Sequence, residues 1–408
     1  MSSLSRKNWR QLGARVLAGL ATTLAGHALA ADRYFVPQVE LDFIHHTNPE
    51  LISNSSSASG YLADASAILG LQSPRSKSEL RPRIQYENYS SRSELRHVNQ
   101  YIDLNSYYNL QRSQWTLVGS YSRENSFAAQ STPAAYDSFD PNDPTIDSTG
   151  RIAVISQTYS RVQVRPGFSH SWNERFGTEV NALYQQLRFD TAIASTDAVN
   201  YNYLQGDAGM FWNLRPLTRV SAGLYAAKYE SVNQPDTTTA RGASVEFGHN
   251  WSRTFSGTFT TNVERTKQDN AGLAQDDEST NWGADVAVMR KGQIDALRLN
   301  AGRTFSPSGA GARVTVDQVR VQYSRNFKPL WSYQVAVRAF RTRESGTASA
   351  GNDRDYMTGS VQLNRELTRT VYLTGNYSIS RQKYVTSDST QDRVLTLGIG
   401  YRGLDPQR

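Results

Sequence analysis

Histidine is the side chain best suited to proton transfer and metal binding near neutral pH. Beyond residue 30 the chain has His45, His46, His97, His170 and His249. Their placement argues against both chemistries. His45 and His46 are adjacent, and neighbours in an extended strand point to opposite faces, so the two cannot share a metal ion. His170 and His249 each stand two residues before a tryptophan, Trp172 and Trp251, at the edge of a turn. No Ser/His/Asp grouping has a supporting sequence context. No P-loop or dinucleotide fingerprint occurs, and "GAGAR" at Gly309–Arg313 has no helix after it. Cysteine is absent, which removes thiolate nucleophiles and disulfides. The chain reads as a non-enzyme, with no catalytic residue, no cofactor and no metal site expected.

The remaining chemistry is that of charged and aromatic residues, and strands must position it. Alternation at period two runs through the sequence. In "TYSRVQVRPGFSH", Val162, Val164, Pro166 and Phe168 share one face, with Arg161, Gln163, Arg165 and Gly167 on the other. In "RVLTLGIGY", Leu395, Leu397, Ile399 and Tyr401 oppose Thr396, Gly398 and Gly400. Such a strand must bury its apolar face against something. No segment after residue 30 approaches the ~20 apolar residues a membrane helix needs.

Turns recur with a beat. Their centres fall near Ser76, Arg112, Asn173, Arg215, Arg253, Gly292, Lys328 and Glu366, most of them 36 to 42 residues apart. Each period holds two long strands and one longer loop rich in Ser, Thr, Asn, Asp and Gly. A propeller blade would need four short strands instead. Short turns on one side and long loops on the other predict an all-β fold. It is a transmembrane, antiparallel, up-and-down β-barrel of about eighteen strands, with sixteen as the alternative count. Trp115, Trp172, Trp212, Trp251 and Trp331 all lie beside short turns. Indole favours the lipid headgroup level, so these five predict an aromatic girdle at the periplasmic interface.

Residues 1–30 read as a secretory signal peptide: Arg6, Lys7, Arg10 and Arg15, then "VLAGLATTLAGHALA", with cleavage after Ala30. Residues 31–408 then form a single outer-membrane barrel domain, with a long loop at about 127–155. The formal charge of +7 falls to +3 without the basic leader, so charge gives no reason to expect nucleic acid as a partner.

The hairpin period, the "WNER", "WNLR" and "WSRT" turns and the Tyr-rich alternation resemble the proteobacterial beta-barrel porin family associated with exopolysaccharide export. In that family the first strand often ends in an aspartate- and asparagine-containing stretch. In "FIHHTNPEL" Asn48 matches it, and Tyr401 stands as the final aromatic before "RGLDPQR". The resemblance implies an eighteen-stranded barrel in the outer membrane of a Gram-negative bacterium, acting as a passive conduit for an exopolysaccharide. A general or anion-leaning diffusion porin and a structural or adhesin barrel are the alternatives. The implied partners are outer-membrane lipid and lipopolysaccharide, the barrel-assembly machinery and a periplasmic polysaccharide export protein.

With the apolar faces turned to lipid, the opposite faces line a pore. They carry Glu40, Asp42 and Asp64, then Arg81 and Arg83, then Arg161 and Arg165. Arg298, Arg320 and Arg338 fall on three successive strands, as a basic ladder or as partners of opposite charges. Tyr101, Tyr107, Tyr203, Phe211, Tyr225 and Tyr372 also point inward, and would suit sugar faces or simply fill space. Asp137, Asp140, Asp143 and Asp147 make the long loop acidic, a constriction if it folds inward.

Overall fold

The computed structural model describes residues 31–52, 55–90, 92–125, 158–190, 199–232, 237–269, 277–307, 313–344, 353–384 and 388–404. Residues 1–30, the loop at 127–155 and Asp137, Asp140, Asp143 and Asp147 therefore lie outside the described residues. The first strands are β1 (Asp32–His46), β2 (Ala58–Gln72), β3 (Ser76–Tyr89), β4 (His97–Asn109), β5 (Ser113–Asn125) and β6 (Thr158–Ser171). Next come β7 (Phe176–Phe189), β8 (Tyr201–Arg215), β9 (Thr218–Ser231), β10 (Thr237–Asn250), β11 (Phe255–Asp269) and β12 (Asp277–Lys291). The last are β13 (Asp295–Pro307), β14 (Arg313–Lys328), β15 (Trp331–Glu344), β16 (Arg354–Glu366), β17 (Val371–Tyr384) and β18 (Thr390–Arg402).

Each strand pairs antiparallel with its sequence neighbours, and Gln38–His46 of β1 closes on Val394–Arg402 of β18. The count is eighteen, not sixteen, and closure leaves no sheet edge. The turn spacing locates the hairpins, but Ser76, Arg215, Lys328 and Glu366 end or begin strands rather than occupy the turns. Two prolines interrupt the ladder locally. The β2–β3 register skips Pro82 and the β6–β7 register skips Pro166, where an N–H is missing.

The short turns share a device. Ser73, Asn173, Ser252 and Thr368 each accept hydrogen bonds through a side-chain oxygen from backbone N–H groups two or three residues on. Asn173 Oδ1 takes both Arg175 N at 2.8 Å and Phe176 N at 2.9 Å. A polar side chain that imitates a turn carbonyl fixes the chain reversal.

Outward faces are apolar. Phe35, Val39, Leu41 and Phe43 on β1 and Leu395, Leu397, Ile399 and Tyr401 on β18 are all exposed. Inward faces change along the barrel axis. On β4, His97 and Asn99 near the long loops are buried, Tyr101 is half-buried, and Asp103, Asn105 and Tyr107 toward the turns are exposed. On β14, Val314, Val316, Gln318 and Arg320 are buried, whereas Asn326 is exposed. Most of the buried apolar groups gather at the long-loop end in three inward clusters. They centre on Tyr201 and Tyr229, on Tyr89 and Leu95, and on Phe340 and Tyr356. The interior therefore narrows from the turn side toward the loop side.

Candidate functional site: the barrel lumen

Strand register sets what meets inside. Glu40 lies opposite Asp64 across β1 and β2, while Asp42 lies opposite Gly398 on β18. Arg83 Nε donates to Asp64 Oδ2 at 2.6 Å, and the Tyr372 hydroxyl donates to Glu40 Oε2 at 3.0 Å. The Asp42 carboxylate rests on the bare backbone of Gly398, so close that a β-carbon there would fall 1.6 Å from Oδ1. Among the described residues neither Asp42 oxygen has a hydrogen-bond partner. This wall is acidic and only partly neutralised.

On the other side of the seam stands a basic wall. Arg320 and Arg338 are direct register partners on β14 and β15, and Arg298 on β13 lies one diagonal step away opposite Gln322. Arg320 is buried, while Arg298 and Arg338 are half-buried, at the border between the narrow and the wide parts of the lumen. A fourth arginine, Arg354, stands beside them and is absent from the sequence-predicted set. Arg354 on β16 sits 4.9 Å from the Tyr356 ring and 5.4 Å from the Phe340 ring, and Arg338 sits 5.2 Å from Phe340. Phe340 and Tyr356 stack at 5.0 Å. The run "RDYMTGSVQ" alternates at period two, which puts Arg354 on the inward face.

A third centre forms around Glu124 on β5, also missed. It accepts from the Tyr159 hydroxyl at 2.9 Å, Ser122 Oγ at 3.1 Å, Tyr101 OH at 3.3 Å and Arg161 Nη2 at 3.4 Å. Arg161 is thus a buried partner of Glu124. Arg165, four residues on, is half-buried on the same inward face.

The inward aromatics divide. Tyr107 is exposed near the turn end. Tyr203 is 2% exposed, packed with Tyr159, Leu187, Tyr201 and Tyr229, so it does not line an accessible pore. Phe211 is 4% exposed for a different reason. One face lies over Gly177, its register partner, where a β-carbon would fall 2.2 Å from the ring. The Arg219 guanidinium covers it at 3.9 Å and bonds Glu179 at 2.5 Å. Tyr225 over Gly242 and Tyr372 over Gly400 repeat the ring-on-glycine pairing. The Tyr225 hydroxyl is held by Glu264 at 3.0 Å. Arg83 approaches the Tyr101 ring at 5.3 Å and Arg402 the Tyr372 ring at 5.2 Å. Rings laid flat on glycine keep the lumen free of their bulk, and the cations over them make its surface polar.

Trp115, Trp172, Trp212 and Trp251 are exposed outward at the turn-side strand ends, and Trp331 opens β15. Trp282 is 62% exposed near the loop end of β12. His45 and His46 point to opposite faces, bonding Ser59 and Asp392 respectively. Among the described residues no group of His, Asp or Glu is arranged to hold a metal ion.

No known family profile matches the chain, and no curated protein matches its sequence. Among solved structures it is similar to Pseudomonas aeruginosa OccK2 (OpdF) in complex with glucuronate. That match has 10% identity and a TM-score of 0.46, covering 91% of this chain and 98% of that one. It is also similar to Pseudomonas aeruginosa OprD, at 10% identity and TM-score 0.42, over 92% and 97% of the two chains. Acinetobacter baumannii OccAB4 matches at 11% identity and TM-score 0.43, over 92% of this chain and 100% of that one. The fold itself rests on the strand pairing: the chain is a closed, eighteen-stranded, antiparallel up-and-down β-barrel.

Proposed function

We propose that the chain is an outer-membrane channel that passes small solutes by diffusion and leans toward anions. A closed barrel of this strand number encloses more space than its own lining fills, whereas roughly eight strands would be packed solid. Its apolar exterior and charged interior suit a bilayer outside and water inside. The outer membrane of a Gram-negative bacterium, its lipid and lipopolysaccharide, and the barrel-assembly machinery follow as its setting.

The observation that carries the size preference is the burial of the inward faces at the long-loop half. A lumen that narrows there favours small solutes over a polymer. The glycan-conduit reading depends on open aromatic faces, yet Phe211 is capped by Arg219 and Tyr203 is packed away. The anion preference rests on Arg298, Arg320 and Arg338 grouped on three adjacent strands. Liposome swelling with a size series of neutral sugars tests the reading. Monosaccharides should enter readily and the rate should fall steeply with chain length. Undiminished entry of long dextrans would restore the polymer conduit.

A further inference from the structure

One sequence element is used twice on the outer surface, two hairpin periods apart. It reads Phe168-Ser-His170-Ser-Trp172 at the end of β6 and Phe247-Gly-His249-Asn-Trp251 at the end of β10. Period two puts the Phe and His of each copy on the same outward face, and the Trp follows at the turn. The geometry repeats closely. Phe168 and His170 stack at 6.5 Å and 14°, Phe247 and His249 at 6.4 Å and 10°. The tryptophans meet the imidazoles edge-on, at 4.7 Å for Trp172 and 5.2 Å for Trp251.

Each imidazole is also tied at the same atom. His170 Nδ1 lies 2.8 Å from Ser113 Oγ and His249 Nδ1 lies 2.9 Å from Thr218 Oγ1, the register partner in each case. When that hydroxyl donates to Nδ1, the neutral ring carries its proton on Nε2. Nε2–H then becomes a donor held in place by two aromatic rings and a hydroxyl. Packing alone would need no polar ring at this position, and both copies use histidine.

A groove of about 460 Å³ opens beside the second copy, lined by Leu214, Arg215, Thr218, Phe247, His249 and Trp251. Its walls are apolar, its one charged side chain is a cation, and no carboxylate lines it. Arg112, immediately before Ser113, places a cation near the first copy. A ligand matching this set has an anionic, hydrogen-bond-accepting head and an apolar tail.

We propose that the two Phe-x-His-x-Trp elements are docking sites for the phosphate group of a phospholipid in the leaflet at the turn side. His Nε2–H and the nearby arginine hold the phosphate, and the Phe, Trp and leucine surfaces take the acyl chains. The proposal rests on the reading of the outer surface as membrane-facing. Its strength is set by a charge-assisted hydrogen bond, so losing the imidazole should weaken lipid retention about tenfold at that site.

The test is native mass spectrometry of the full chain released from detergent micelles containing either phosphatidylglycerol or a diacylglycerol with the same chains. Wild type should retain up to two phosphatidylglycerols and no comparable diacylglycerol. His249→Phe, which keeps the ring stack, should lose one retained lipid, and the double variant with His170→Phe should lose both. Arg215→Gln provides an independent reading should the histidine variants not fold, as judged by heat-modifiable gel migration. Equal retention of the two lipids, or a folded double variant that binds like wild type, overturns the proposal. So does displacement of the lipid by millimolar inorganic phosphate, which would make the site one for free anion. A parallel reconstitution of wild type into phosphatidylglycerol-containing vesicles reads the membrane reading beneath it, and failure to insert would remove that reading instead.

Discussion

His46 and Asp392 meet at 2.7 Å across the seam where the first and last strands close the barrel, 346 residues apart in sequence. Both side chains are withdrawn from solvent. Asp392 also accepts from Asn48 N at 2.8 Å and Thr47 Oγ1 at 3.3 Å, so one carboxylate holds the seam and the start of the β1–β2 loop together.

Removing that carboxylate leaves a buried imidazole and a backbone N–H without their acceptor. Asp392→Ala should therefore cost roughly 2–3 kcal/mol, in the range for leaving buried hydrogen-bonding groups unsatisfied. His46→Ala should cost less, because Asp392 keeps two donors. Urea unfolding followed by loss of heat-modifiable migration measures both. Equal stability of Asp392→Ala and wild type would show that the seam is held by the backbone ladder alone.

The ring-on-glycine pairs make a second prediction. A β-carbon at Gly400 would fall 2.2 Å from Tyr372 Cζ, so Gly400→Ala must push the ring off the wall and strain its bond to Glu40. Such overpacking typically costs about 1–3 kcal/mol. Adding Tyr372→Ala should make the glycine change nearly neutral, a coupling that a double-mutant cycle reads directly. Additive costs in the double variant would mean that the two residues do not share the space.

Much of this architecture was legible in the sequence, for a physical reason. Strand existence and facing follow from a period of two, which any stretch such as Val162 to Phe168 displays by itself. Turn positions follow from local chemistry such as that of Asn173. What was not legible depends on partners far along the chain. Nothing around Glu124 announces that Tyr159 and Arg161 will share it, since they are 35 and 37 residues away. Likewise Phe211 and Tyr203 look alike as inward aromatics. Only the residues opposite and above them, Gly177 with Arg219 in one case and Tyr229 in the other, decide that neither presents an open face.

Topology gives a third prediction. Ser90 lies in the β3–β4 connection on the long-loop side and Ser252 in the β10–β11 turn on the opposite side. The chain has no cysteine, so single Cys replacements report cleanly. In intact cells an impermeant maleimide should label Ser90→Cys at least about tenfold faster than Ser252→Cys, the latter reacting only after the outer membrane is disrupted. Faster labelling at the turn would invert the assigned orientation.

On the proposed function, the wall carrying Arg298, Arg320 and Arg338 gives the channel its anion preference. Their fields add because Arg320 and Arg338 are register partners and Arg298 is one diagonal step away. A narrow lumen with low-dielectric walls focuses that field and raises the local anion concentration. Planar-bilayer recording in asymmetric potassium chloride tests this most directly, through the reversal potential. Wild type should reverse on the anion-selective side, and replacing all three arginines by glutamine should move the potential toward cation selectivity. A reversal potential unchanged by the triple replacement would place those side chains outside the conduction path and contradict the account.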